Sequence, residues 1–128
     1  MSKRRNIHAD DIPAHANPIP AATVVGNLLM TSAIGGIDVA TNTFPKDKDE
    51  QIGLAFRHLR RILELADFSL DDVVKLTLYF ADQKDRSYAN KYWLEMFPDE
   101  HSRPARQALQ GVLPEGCYLH IDCVAMKT

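Results

Sequence analysis

Cysteine is scarce. Cys117 and Cys123 are the only two in 128 residues, too few for a cysteine-ligated metal cluster or a disulfide scaffold. Six positions apart on one extended strand, they would lie roughly 20 Å from each other and could not bridge. They read as two small buried side chains in a reducing cytoplasm. Long apolar runs are also missing. The longest, Leu28-Leu29-Met30 and the stretch from Val73 to Phe80, fall far short of a membrane span. The opening Met-Ser-Lys-Arg-Arg-Asn-Ile-His has basic residues with no apolar stretch behind them, so it does not read as a secretory signal. Positive charge is not in surplus: 15 Lys plus Arg against 17 Asp plus Glu give a formal net charge of -2. A duplex-binding protein would show the opposite balance. No Gly-rich phosphate loop, His-X-X-X-His pair or Gly-X-Ser-X-Gly elbow occurs, so phosphate chemistry, zinc hydrolysis and serine catalysis lack their parts.

What is present describes one folded domain. Hydrophobic residues make up 45% and charged residues 25%, the balance of a globular chain. Residues 1–20, with Pro13, Asn17, Pro18 and Pro20, read as an irregular arm, and residues 21–128 as the domain. Gly26-Asn27 between the apolar runs Val24-Val25 and Leu28-Leu29-Met30 predicts a hairpin. Asp49 is placed to cap a helix to about Ala66, whose stripe is Ile52, Ala55, Phe56, Leu59, Ile62, Leu63 and Ala66. Arg57, Arg60, Arg61 and Glu64 take the opposite face, which reads as solvated. Ser69-Leu70-Asp71-Asp72 resembles a capping-box turn into a strand. In that strand Val74, Leu76, Leu78 and Phe80 alternate with Lys75, Thr77 and Tyr79.

Asp85 opens a second helix to about Phe97, whose aromatic rows, Trp93 included, read as core. Two strands follow, about Arg106–Val112 and Cys117–Ala125, joined by the turn Leu113-Pro114-Glu115-Gly116. The order is β-β-α-β-α-β-β, an α+β sheet with both helices on one face. The other face, with Tyr79, Tyr118 and Val124, is then open to a second copy.

Two constellations carry chemistry. In Arg103-Pro104-Ala105-Arg106 the proline stiffens the start of a strand, and a guanidinium on that mount suits bidentate capture of a carboxylate. His120 and Asp122 share the polar side of the last strand, where a histidine beside a carboxylate can move a proton near neutral pH. A surface salt bridge and an exposed polar face are the plainer readings of the same residues.

These residues, taken with others, resemble the RidA/YjgF family of small trimeric proteins. The matching segments, in order, are Gly26-Asn27-Leu28-Leu29 with Thr31-Ser32, Ser69-Leu70-Asp71-Asp72-Val73-Val74-Lys75, Asn90, Pro104-Ala105-Arg106, Leu113-Pro114 with Gly116, and Val124-Ala125. The resemblance implies a chorismate-mutase-like fold and three subunits around a barrel-like centre, with clefts between neighbours. It also implies hydrolysis of enamine or imine intermediates to a keto acid and ammonia without metal or organic cofactor. Arg106 would hold the substrate carboxylate, and Ser32, Ala33, Asn90 and the backbone of Ala108 would line the cleft.

The chain departs from the family pattern at several of these places. The glutamate that positions water in the deaminases is His120 here. Ile19 replaces an aromatic after Pro18, Ser32-Ala33-Ile34 stands for Ser-Gly-Gln, and Arg86 replaces an aromatic at the start of the second helix. One residue fewer separates Arg106 from Leu113, which leaves the register of 107–111 open. The expectation is a carboxylate-anchored deaminase with Arg106 and His120 catalytic, Arg86 available to a second acidic group such as that of an aminomuconate-like dicarboxylate, and no nucleic-acid or membrane partner. The alternative is a trimer that binds small carboxylates without turnover. The ribonuclease or translation-inhibitor label borne by some relatives fits an acidic chain poorly.

Overall fold

The computed structural model describes residues 3–128. Four strands come first: β1 (Arg4–Ile7), β2 (Ala22–Val25), β3 (Leu28–Thr31) and β4 (Ile34–Gly35). They are followed by α1 (Lys48–Leu65), β5 (Val73–Phe80), α2 (Ala89–Met96), β6 (Ala105–Gln110) and β7 (Leu119–Met126). One mixed sheet runs β1-β2-β3-β7-β5-β6, with β4 also paired to β7. Among the described residues only β5 and β6 are parallel, because α2 carries the chain between them.

The α+β expectation holds, and the differences from the sequence reading have local causes. Part of the arm is a strand: β1 pairs antiparallel with β2, and Arg5 reaches across to donate to Ala66 O at the end of α1 at 2.8 Å. Residues 8–20 are irregular. Asp47 caps α1 rather than Asp49, its carboxylate accepting from Glu50 N at 2.9 Å. The region read as the start of the second helix is a 3₁₀ turn, Gln83–Tyr88, capped by Asp82. The β2–β3 hairpin turns at Gly26-Asn27 as expected, with Gly26 at φ +56°, a conformation that suits glycine. Asp72 accepts from Ser69 N at 2.8 Å, the reach-back half of the capping box.

Two bulges set which side chains reach which face. Between Val73 and Lys75 the β5–β7 register slips by one residue. Val73 is therefore buried and Val74 exposed, against the simple alternation that put Val74 inside. A second one-residue slip lies between β3 and β4, which run along the same side of β7 and are joined by Ser32 and Ala33. Beyond these irregularities the alternation is regular. Leu76, Leu78, Phe80, Leu119, Ile121, Cys123 and Ala125 pack under the helices with Ile52, Leu59, Ile62 and Leu63 of α1. Cys117 and Cys123 are free and buried, and burial pushes their thiols up to about 11 and about 12.

Beside this core His58 is buried with Nε2 2.8 Å from Ile37 O. A carbonyl only accepts, so the ring donates there and a neutral imidazole satisfies it. Burial holds the His58 pKa below its ordinary 6.5. The unfolded chain therefore takes up this proton first as pH falls, so the stability from neutral His58 is full above about pH 6.5 and is lost below it. The melting temperature should drop between about pH 7 and about pH 5, and the drop should be shallower in His58→Gln. An equal slope in both proteins would remove His58 as the cause.

Candidate active site

Strand β6 forms one edge of the sheet, and its register, open in the sequence, is fixed by β5: Arg106 is level with Leu76 and Ala108 with Leu78. In-register neighbours share a face, so Arg106 projects to the helix side. There Nη1 donates to Asn90 Oδ1 at 3.0 Å, Nη2 donates to Arg86 O at 3.3 Å, and the guanidinium lies 5.3 Å from the Trp93 ring centroid. The side chain is half-buried, and desolvation holds its pKa below the ordinary value. No carboxylate lies within ion-pair distance of it among the described residues. Its neighbours are an amide oxygen, a carbonyl and an indole, and two of its five N–H groups are in use. A partly desolvated cation oriented by neutral groups has the chemistry to receive an external carboxylate.

The strand itself adds to this cluster. Gly111 N donates to Phe80 O at 3.0 Å, so alternate residues of β6 turn their backbone polar groups to β5, and those of Arg106 and Ala108 turn to the free edge. Gln83 Nε2 donates to Ala108 O at 3.3 Å and fixes that edge to the 3₁₀ turn. Arg103, the other arginine of the motif, donates to Phe97 O and Pro98 O at 2.8 and 3.3 Å and ties down the end of α2.

His120 belongs to a different face. It pairs across the sheet with Tyr79 and with Gly35, on the side away from the helices. Gly35 leaves room for the ring: a Cβ there would stand 3.3 Å from His120 Cδ2 and 3.4 Å from Phe44 Cε1. Burial lowers the His120 pKa, with Asp122 opposing the shift and His15 of the arm adding to it. Asp122 accepts a hydrogen bond from Tyr79, and burial raises its carboxyl. His120 is therefore a half-buried imidazole kept neutral at physiological pH, in a group with His15, Tyr79 and Asp122. Next to it, the bulge holds Ser32, whose N donates to Ala21 O at 2.9 Å and whose Oγ donates to Pro20 O at 2.8 Å. Ala33 lines a shallow depression with Pro13, His15 and Ile34.

The two groups do not meet within one chain. Two strand spacings separate β6 from β7, and His120 lies three residues further along than the level of Arg106. That places them roughly 10 Å apart across the sheet and about 10 Å along it, on opposite faces. Among the described residues, no three His, Cys, Asp or Glu side chains are arranged to hold a metal ion, and no helix is long and apolar enough to cross a membrane.

The chain matches the endoribonuclease L-PSP family over residues 10–127. It is 32% identical over 123 residues to a RutC family protein of Pyrococcus horikoshii, covering 94% of this chain and 96% of that one. The chain belongs to the RidA/YjgF family. A crystal structure of RidA from an Antarctic Psychrobacter superposes with a TM-score of 0.87 at 29% identity, covering 96% of this chain and 99% of that one. TdcF of Escherichia coli K12, whose name describes a proposed reactive intermediate deaminase, is 25% identical over 128 residues and covers 98% of each chain.

Set on this RidA fold, the residues singled out in the sequence divide in two. Arg106, Asn90, Ala108 and the backbone of Arg86 come together at the β6 edge. Ser32, Ala33 and His120 come together around β4 and β7. Arg86 meets Arg106 through its carbonyl, and its own side chain is exposed. Ile19 lines a hollow of about 690 Å³ bounded by the arm. Trp93 is a correction: read as core alone, it also forms the surface against which Arg106 rests. Gln83 and His15 were missed, since an isolated Gln or His carries no periodic signal and each acts through a contact distant in sequence.

Proposed function

We propose that this protein hydrolyses enamine or imine intermediates that carry a carboxylate, releasing a keto acid and ammonia, at sites shared between neighbouring copies of a homotrimer. The observation that carries the reading is Arg106, a half-buried guanidinium held by neutral partners with no carboxylate of its own among the described residues. Shared sites follow from the opposite facing of Arg106 and His120, because a small substrate can touch both only if they come from different chains. The sheet face away from the helices supports association. Val25, Leu28, Met30 and Met126 are exposed there at 43%, 37%, 50% and 53%, an apolar patch that one chain leaves uncovered.

The chemistry needs little else. Arg106 binds the carboxylate and draws electron density from the adjacent C=N carbon. Water adds to that carbon of the protonated imine while neutral His120 takes one water proton, giving a neutral carbinolamine. The imidazolium returns that proton to nitrogen, the freed imidazole takes the hydroxyl proton, and the C–N bond breaks so that ammonia leaves as the C=O forms. Tyr79 and Asp122 steady the charged imidazole.

The test is keto-acid release from freshly generated 2-aminoacrylate. Wild type should accelerate it, and Arg106→Ala and His120→Ala should each lose that acceleration by about a hundredfold or more. Wild type without acceleration would sink the deaminase reading. The second reading, a carboxylate-binding oligomer, draws on the histidine that stands in place of the family's glutamate. Pyruvate binding that depends on Arg106 without turnover would establish it.

A further inference from the structure

Away from both halves of that site, α1 and α2 enclose a groove of about 340 Å³. Its floor is apolar: Phe56 and Met96 are buried, and the Tyr92 ring stacks on Phe56 with centroids 5.8 Å apart. The floor is also fixed. Tyr92 Oη is 2.9 Å from both Asp49 O and Asp49 Oδ1. At one end the ring lies so close to Gly53 that a Cβ there would stand 2.6 Å from Tyr92 Cζ and Oη. Helix packing here leaves no room for a side chain at position 53, so the ring cannot swing toward α1 to fill the groove.

The walls are charged, with opposite signs facing each other. Arg57 and Arg60, one turn apart on α1, form one wall, and Glu95 of α2 stands in the other. Arg61, on the same helix, is paired with Asp11 and Glu64. By contrast, the side chains of Arg57, Arg60 and Glu95 make no hydrogen bond or ion pair among the described residues. The groove thus holds two cations and an anion apart over an apolar floor. Direct pairing of such exposed charges gains little, so nothing in the chain drives the gap shut.

We propose that this groove binds a free α-amino acid with an apolar side chain, its carboxylate on Arg57 and Arg60, its ammonium on Glu95, and its side chain on Phe56, Tyr92 and Met96. A zwitterion satisfies both walls at once. A simple acid leaves Glu95 facing an anion, and a simple amine leaves the arginines facing a cation. The volume lies at the small end of ligand pockets, which suits a molecule of leucine's size and excludes nucleotides. The proposal stands independently of the reaction at Arg106. α2 links the two places, because the helix that carries Glu95 and Met96 also carries Asn90 and Trp93.

The test is calorimetric titration of the full-length protein in its native assembly with L-leucine, and of its Arg106→Ala variant, whose keto-acid site is removed, with L-leucine, 4-methyl-2-oxovalerate and 3-methylbutylamine. L-leucine should bind saturably and at least about tenfold more tightly than either single-charge analogue. The double variant Arg57→Ala/Arg60→Ala and the variant Glu95→Gln should each weaken L-leucine by about tenfold or more, while Arg106→Ala leaves it unchanged. Arg57, Arg60 and Glu95 are exposed, and circular dichroism is used to check that every variant is folded. Absence of saturable leucine binding to wild type overturns the proposal. So does leucine binding that survives loss of both arginines, or that disappears with Arg106.

Discussion

Mixing two inactive variants should restore activity. Arg106→Ala and His120→Ala are each expected to be dead alone, because in the proposed shared site each removes one half of every pocket. When the two chains are co-expressed and assemble at random, a site is intact only if its arginine comes from the His120→Ala chain and its histidine from the Arg106→Ala chain. Random pairing gives about a quarter of the sites that arrangement, so keto-acid release should recover to about a quarter of wild type. The prediction follows from the opposite facing of Arg106 and His120 on the two sides of the sheet. Tandem tags that isolate the mixed oligomers make the measurement clean and raise the expected recovery to about a third, since a mixed cyclic trimer has one intact site in three. Mixed oligomers as inactive as either parent would show that both residues serve one chain's site, and would retire the shared-site reading whatever the reaction.

Replacing Gln51 by leucine should be the most damaging change in the core. Gln51 sits within the apolar stripe of α1 and is fully buried. Its Nε2 donates to Pro45 O at 2.9 Å and to Gly116 O at 2.8 Å, and its Oε1 accepts from Tyr118 N at 2.7 Å. One side chain thus joins the helix to the loop before it and to the turn that leads into β7. Leucine fills much the same volume but takes the partners from one donor and two acceptors that lie against the buried amide, a loss of about 3 kcal/mol. For a chain of this size that lowers the melting temperature by roughly 10 °C. Thermal unfolding followed by circular dichroism reads it directly. A change of under about 2 °C would mean that water replaces the amide at no cost.

Gln51 also marks where the sequence stops being legible. The stripe of α1 shows its helix, and the alternation Leu119, Ile121, Cys123 shows β7, because both patterns repeat at the period of the backbone that bears them. A glutamine inside the stripe has no such repeat, and its partners lie 6, 65 and 67 residues away. The bulges at Val74 and at Ser32-Ala33 were hidden for a related reason. Each is a slip of one residue that only the partner strand reveals, yet each changes which face a side chain occupies. Strand β1 escaped notice because Arg-Arg-Asn-Ile has no apolar alternation of its own and is held by its pairing with β2. Arg106 stood out through its proline-stiffened mount. Asn90 and Ala108 entered through the family resemblance, and Gln83 emerged only once β6 was set beside the 3₁₀ turn.

Strand β6 carries a further consequence, for solubility. It ends the sheet with the backbone groups of Arg106 and Ala108 directed outward, and Gln83 engages the carbonyl of Ala108 alone. An unpaired strand edge is a template for intermolecular β-pairing, the route by which folded proteins nucleate aggregates. Here that edge also bears the guanidinium proposed to hold substrate. A neighbouring subunit seated against it would hide the template and complete the pocket in one contact, so a chain that dissociates would lose its chemistry and its protection from precipitation together.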